Sequence, residues 1–376
     1  MTTTELLAET EGAARLREAA VFDEQLEGAA GKVVLFGAGS LGRKVAAALR
    51  RHGIEPLAFA DNNIALGGTL VDGVPAMAPA EAAGRFGEEA LFVVSTFRPT
   101  NGGVRARLRE LALLGCARAA SFLPIGWRHD GVLPHFGADR PSRLLTNAGD
   151  LARVAGLWSD APSRETFRRE LAWRLRADFD DSEPPAPNQY FPEDILRPNS
   201  NETFLDGGAF DGDTLRNAPW HLERVLAVEP DPANAARLRA FGGHQLTVRE
   251  ALLGRAAGSA RFNGTGTMAS ARSESGTLDV PVATLDEIAA GERPTFIKLD
   301  VEGDELEALK GARKTLADMR PVMAVCVYHR PEDLWTIPLF LQEALPTHRM
   351  YLRVHAWDGF ELVAYAVPAD RCRQPK

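Results

Sequence analysis

The chain has 376 residues, enough for two domains that each bury a core, with 45% apolar and 25% charged residues in the ordinary globular proportion. A net charge of −8 excludes a broad basic face for nucleic acid. No run of roughly 18 apolar residues is available to span a membrane. The opening MTTTELLAETEGAARLREAA is charged throughout and does not read as a signal peptide. Cys116, Cys326 and Cys372 lie far apart and are odd in number. They predict a reducing, cytoplasmic setting with no disulfide framework and no CxxC metal site.

In chain order, residues 1–30 alternate Leu and Ala with Glu and Arg at helical spacing. KVVLFGAG then gives a strand and a turn, 41–52 an amphipathic helix, IEPLAFADNN a strand ending in an acid, ALFVVST a third strand, and 103–115 a helix. Strands alternating with helices predict a parallel, helix-covered sheet. Residues 1–125 therefore read as a helical leader and a Rossmann-like domain. Residues 126–200 read as a connector, helical over 141–179 and rich in Pro and acids before 200. Residues 201–376 start a second α/β series: TFLDGGA, RVLAVEP, QLTVREALLG, TFIKLDVEG and PVMAVCVYH as strands, with DELEALKGARKTLADM as one long helix. Polar residues 258–283 predict a β excursion, and HRMYLRVHAWDGFELVAYAVP predicts two strands around an Asp-Gly turn.

Each half carries a glycine loop after a strand. In the first, Gly37, Gly39 and Gly42 form GxGxxG at a helix start, and Asp61 ends the next strand where a ribose hydroxyl would be held. That arrangement fits an accessory nucleotide or nucleotide-sugar. Glycines needed only for strand–helix packing explain it as well, and no catalytic constellation follows. In the second loop, FLDGGAFDGDT, the glycines stand among Asp206, Asp211 and Asp213. Carboxylates repel a pyrophosphate and attract a cationic ligand such as S-adenosylmethionine, which has a sulfonium, an ammonium and no phosphate. Asp213 also suits a helix cap. Gly207, Gly208 and Ala209 allow close backbone approach. Glu229 ends the following strand at the ribose position, and Glu250 with Ala251 ends the third, where an adenine ring would lie. In FIKLDVEGDE, Lys298, Asp300 and Glu302 alternate at a strand end, a costly placement unless functional.

FLDGGAFDGDT, VLAVEPDP and above all FIKLDVEGDELEALKGA resemble the FkbM-type S-adenosylmethionine-dependent methyltransferases, over about residues 200–376. NQYFP at 188–192 and VYHRPEDLWTIP at 327–338 resemble longer two-domain members of that family, which pair the methyltransferase with an N-terminal Rossmann-like domain. The resemblance implies a class I methyltransferase sheet, seven strands with the last antiparallel, and S-adenosylmethionine as the cofactor. It implies methyl transfer to a hydroxyl of a sugar or other natural product. Asp206, Gly207, Gly208, Ala209 and Asp211 become the cofactor loop, Glu229 the ribose acid, and Asp300 and Glu302 the acids after the fourth strand. No general base comes with the resemblance. His329 and His355, at the ends of later strands, are the candidates from the residues, with Asp300 a third. Tyr328 and Arg330 flank His329 and are placed to hold a polar acceptor; Tyr190 is placed to cover the cofactor or acceptor. No His/Asp grouping has firm metal spacing, so the sequence assigns no metal. A nucleotide- or NAD-dependent sugar-modifying oxidoreductase and a non-catalytic two-domain binding protein stay open as alternatives, and so does self-association.

Overall fold

The computed structural model describes residues 1–134, 136–181, 184–241, 245–264, 271–272 and 276–373. The chain forms two compact units. The first comprises 1–152, 167–185 and 356–360; the second comprises 153–166, 186–355 and 361–376. The stretch 126–200 is thus divided between them.

In the first unit, Val33–Phe36 (β1), Ala58–Ala60 (β2), Leu70–Val71 (β3), Val74–Met77 (β4), Leu91–Val94 (β5) and Ala119–Ser121 (β6) form one sheet in the order β3-β4-β2-β1-β5-β6. All its pairings are parallel except β3 with β4. VVLF and LFVV are buried at every position, as strands covered on both faces must be. The helix Ser40–Arg51 turns Val45, Ala46, Ala48 and Leu49 inward and starts at the carboxyl end of β1. The leading residues form the helices Thr3–Leu7 and Glu11–Glu27, as their periodicity predicts. The β3–β4 hairpin was not apparent from the sequence.

The second unit contains Thr203–Gly207 (β7), Arg224–Val228 (β8), Gln245–Arg249 (β9), Leu252–Leu253 (β10), Gly258–Asn263 (β11), Ala271–Arg272 (β12), Leu278–Ala283 (β13), Phe296–Leu299 (β14), Val322–Cys326 (β15), Arg349–Val354 (β16) and Leu362–Val367 (β17). Its main sheet runs β16-β17-β15-β14-β7-β8-β9, and β17 runs opposite to the other six strands. This is the seven-stranded arrangement expected from the resemblance. The excursion over 258–283 is a small separate sheet, β10-β13-β11-β12; part of it, 265–270 and 273–275, lies outside the described residues.

Two sequence expectations change in detail. The long helix after β14 is two helices, Glu305–Lys310 and Arg313–Met319. They part at Gly311, where a Cβ would stand 2.2 Å from the Gly254 carbonyl oxygen. The turn between β16 and β17 is longer than an Asp-Gly pair. It includes a short 3-10 turn, Trp357–Gly359, whose Asp358 accepts hydrogen bonds from the Val104 N–H within the first unit.

Candidate active site

The first glycine loop opens onto a cleft of about 580 Å³ whose lining includes Gly37, Gly39, Lys44, Asp61, Arg98 and Arg107. Gly42 faces away into packing: a Cβ there would stand 1.9 Å from the Gly37 carbonyl oxygen. Asp61 braces the loop, accepting the Ala38 N–H at 2.7 Å and the Asn63 N–H at 2.8 Å.

The second loop has the same design with different chemistry beyond it. Glu229, at the end of β8, accepts the Phe210 N–H at 2.9 Å on one oxygen. Its other oxygen accepts the Asp231 N–H at 2.9 Å. That second oxygen also accepts the Asn234 side-chain amide at 3.4 Å, so the oxygen facing Phe210 is the one that can take a further donor. Burial first, and then the nearby Asp231 charge, push the Glu229 carboxyl up to about 6 against these hydrogen bonds. Gly208 has φ +78°, and a Cβ on it would meet the Asp300 carbonyl oxygen at 1.8 Å. Only glycine lets the loop lie against the end of β14. Gly207 and Ala209 are buried beside it.

The loop aspartates do not present the free negative charge expected from the sequence. Asp206 is wholly buried and pairs with the Lys298 ammonium at 3.0 Å. Lys298 also donates to the Gly208 carbonyl at 2.7 Å. Burial would lower the lysine, but Asp206 and Asp300 hold it well above its ordinary range, so it stays cationic. Asp211 pairs with Arg216 at 2.5 Å. Asp213 begins a four-residue helix in an exposed position. Glu250 is exposed and pairs with Arg239 at 2.5 Å, although the neighbouring Ala251 is buried.

Uncompensated acid gathers instead at the ends of β14 and β15. His329 is buried, with Nδ1 2.9 Å from Glu305 Oε1 and Nε2 3.5 Å from Asp300 Oδ1 and 3.6 Å from Glu302 Oε2. Burial alone would lower the imidazole, but Glu305, Asp300 and Glu302 push it up to about 10. It is therefore held as a cation at neutral pH, which removes the vacant nitrogen that a general base needs. Tyr190 donates its O–H to Asp300 Oδ2 at 2.8 Å, with its ring 5.1 Å from the Lys298 ammonium. Lys298, His329 and the Tyr190 hydroxyl keep Asp300 below its usual range despite its burial. Tyr328 donates its O–H to Glu361 Oε1 at 3.3 Å, and Gln189 donates to the other Glu361 oxygen. Burial first, and then the Asp300 charge, raise Glu361 to about 6.

His355 is not in this group. Its Nδ1 faces the Ala186 carbonyl at 2.9 Å and its Nε2 the Tyr365 hydroxyl at 2.8 Å. Burial lowers it to about 4, so both nitrogens are committed to a neutral structural ring. Arg330 is about half exposed and lies 3.4 Å from Asp304, beside the group rather than in it. Sequence reasoning missed Glu305 and Glu361. Glu305 reads as an ordinary acid in a helix's first turn, and Glu361 lies in the β16–β17 connection, far along the chain from Asp300.

No match is found among the curated proteins. The family model "Methyltransferase FkbM domain" matches residues 206–357. The solved structure of a methyltransferase FkbM from Methylobacillus flagellatus KT is similar in fold, with TM-score 0.72 and 22% identity over 96% of this chain and 100% of that one. A precorrin-6y C5,15-methyltransferase from Geobacter metallireducens GS-15 aligns with TM-score 0.30 and 14% identity, over 46% of this chain and 84% of that one, too distant to inform the fold. The stretch matched by the family model holds the glycine loop, Glu229 and the acid–imidazole group apart from Tyr190 and Glu361, so the second unit carries the match to an FkbM methyltransferase domain.

Proposed function

We propose that the second unit transfers a methyl group from S-adenosylmethionine to a hydroxyl of a small acceptor of the sugar or natural-product class. The observation that supports this most directly is the join between the two halves of the site. The Asp300 N–H donates to the Gly207 carbonyl at 3.0 Å, and Gly208 packs on the Asp300 carbonyl, so the glycine loop and the acidic group form one surface. Gly208 lets the loop lie against the end of β14, Glu229 keeps one oxygen with capacity for a ribose hydroxyl, and the Asp300 side supplies negative charge. When bound, the cofactor supplies a methyl group on positively charged sulfur. The chain's own residues must align an acceptor oxygen and take its proton. In this reading Glu361 is the proton acceptor, held by Gln189 and Tyr328, and Tyr190 and Tyr328 shape the acceptor's place. His329 holds charge. The cleft of the first unit, with Lys44, Arg98 and Arg107 in its lining, is assigned to an accessory nucleotide or nucleotide-sugar.

Calorimetric titration with S-adenosylhomocysteine, NAD and a UDP-sugar tests this assignment. S-adenosylhomocysteine should bind, and Glu361→Gln should leave its affinity nearly unchanged while turnover falls about a hundredfold or more. Binding of NAD without S-adenosylhomocysteine would overturn the reading in favour of the oxidoreductase alternative.

A further inference from the structure

We propose that Asp300, Glu302 and His329 form a site for one divalent cation of the Mg²⁺ or Mn²⁺ class, placed where the acceptor hydroxyl is activated. One ligand atom from each lies within 4.8 Å of the others. His329 Nε2 is 3.5 Å from one carboxylate oxygen and 3.6 Å from the other. Oxygen ligands sit about 2.0–2.2 Å from such an ion, so two ligands on one ion stand roughly 3–4 Å apart, and these three atoms need little movement. The ion takes the place of the Nε2 proton that His329 carries without it, so binding releases that proton.

Three further features support an ion here. Asp300 Oδ1 is fully enclosed and receives no hydrogen bond, while Oδ2 is taken by Tyr190. The imidazole that faces this oxygen stands 3.5 Å away, and an ion between them would meet the oxygen directly. The imidazole is oriented from behind: buried Glu305 engages Nδ1, which turns Nε2 toward the two carboxylates, as outer-shell acids do for metal-binding histidines. The charges are also unbalanced. Asp300, Glu302 and Glu305 converge on one imidazole, and Glu361 joins Asp300 in a second close group with Cys326, while Lys298 is occupied by Asp206. Two carboxylates with one imidazole, and room left for oxygen ligands, suit Mg²⁺ or Mn²⁺ better than a thiolate-seeking ion.

The role of the ion rests on the methyl-transfer reading above, whereas its binding does not. A cation at this point lowers the cost of ionising an acceptor hydroxyl. The hydroxyl proton passes to Glu361 and then to solvent. The oxygen lone pair forms the new O–CH₃ bond, and the C–S bond breaks with its pair going to sulfur. A positive sulfonium thereby becomes a neutral thioether, with one proton released.

The test is Mn²⁺ binding to the full chain, followed by electron paramagnetic resonance and calorimetry, with S-adenosylhomocysteine titrated separately. One Mn²⁺ should bind per chain. Glu302→Gln, at a partly exposed position, should weaken it about tenfold or more with an unchanged circular dichroism spectrum, and Asp300→Asn should abolish it. Turnover should fall on chelation and return with Mn²⁺. Absence of Mn²⁺ binding at millimolar concentration, or equal binding in both variants, overturns the site and leaves His329 as a plain ion-pair partner. Mn²⁺ binding without S-adenosylhomocysteine binding supports the ion site while removing the methyl-transfer reading. The reverse result removes the ion alone.

Discussion

His329 and His355 look alike in the sequence: each follows an apolar strand and each is a candidate base. Their surroundings drive them in opposite directions. Three carboxylates hold His329 up to about 10, whereas burial between Ala186 and Tyr365 holds His355 down to about 4. The second shift bears on stability. An unfolded His355 takes a proton near its ordinary value of about 6.5, while the folded ring resists until about 4. The unfolded state therefore binds more protons in that window. The stability contribution is complete above about 6.5 and is lost progressively as pH falls toward 4. The loss should be on the order of 2–3 kcal/mol. Urea unfolding at pH 7.5 and 4.5 should show a smaller difference in His355→Gln than in the parent protein. A parallel loss in both would place the acid sensitivity elsewhere.

Among the elements, the turn after β7 shows the contrast between the two units. Its counterpart after β1 has the same strand–glycine–helix form, and Asp61 and Glu229 brace the two loops alike through a backbone N–H. That much was legible, because strand-ending acids and glycine spacing are local signals. The different use of each glycine was not. Gly208 is closed off by the Asp300 carbonyl, supplied from just after β14 and far along the chain, whereas a Cβ on Gly39 would meet nothing closer than the Arg98 guanidinium at 3.7 Å. Gly208→Ala should therefore cost about 2 kcal/mol or more and abolish S-adenosylhomocysteine binding. Gly39→Ala should stay within about 0.5 kcal/mol. Thermal unfolding of the two variants, with and without S-adenosylhomocysteine, checks both. Equal effects would show that close approach is not what Gly208 supplies.

For the whole molecule, the second unit does not begin where its first central strand begins. Residues 153–166 and 186–199 belong to it. Ser163 Oγ accepts the Leu352 N–H at 2.9 Å, and the Ser159 N–H donates to the Met350 carbonyl at 2.8 Å. Buried Arg353 pairs with Asp160 and Asp194, each at 2.6 Å. A fragment starting at residue 201 leaves Arg353 buried without its carboxylates and the edge strand β16 without these partners, and it also lacks Tyr190. Removing the partners of a buried charge costs about 3–5 kcal/mol. The fragment should give a lower, broader unfolding transition than the full chain and no S-adenosylhomocysteine binding. A sharp transition at the parent temperature would show that residues 153–199 add nothing to the unit.

The sequence by itself determined the α/β class, the order of nearly all strands, both glycine loops and the family resemblance. Those features follow from periodicity and short motifs within about ten residues of chain. Only the tertiary structure decided which charges are free. Asp206 is paired with Lys298, Asp211 with Arg216, and the acid that remains collects around His329 and Asp300 from the ends of β14 and β15 and the β16–β17 connection. Ionisation depends on burial and on neighbours a few ångströms away in space, and residues 300, 329 and 361 become such neighbours only once the sheet has closed.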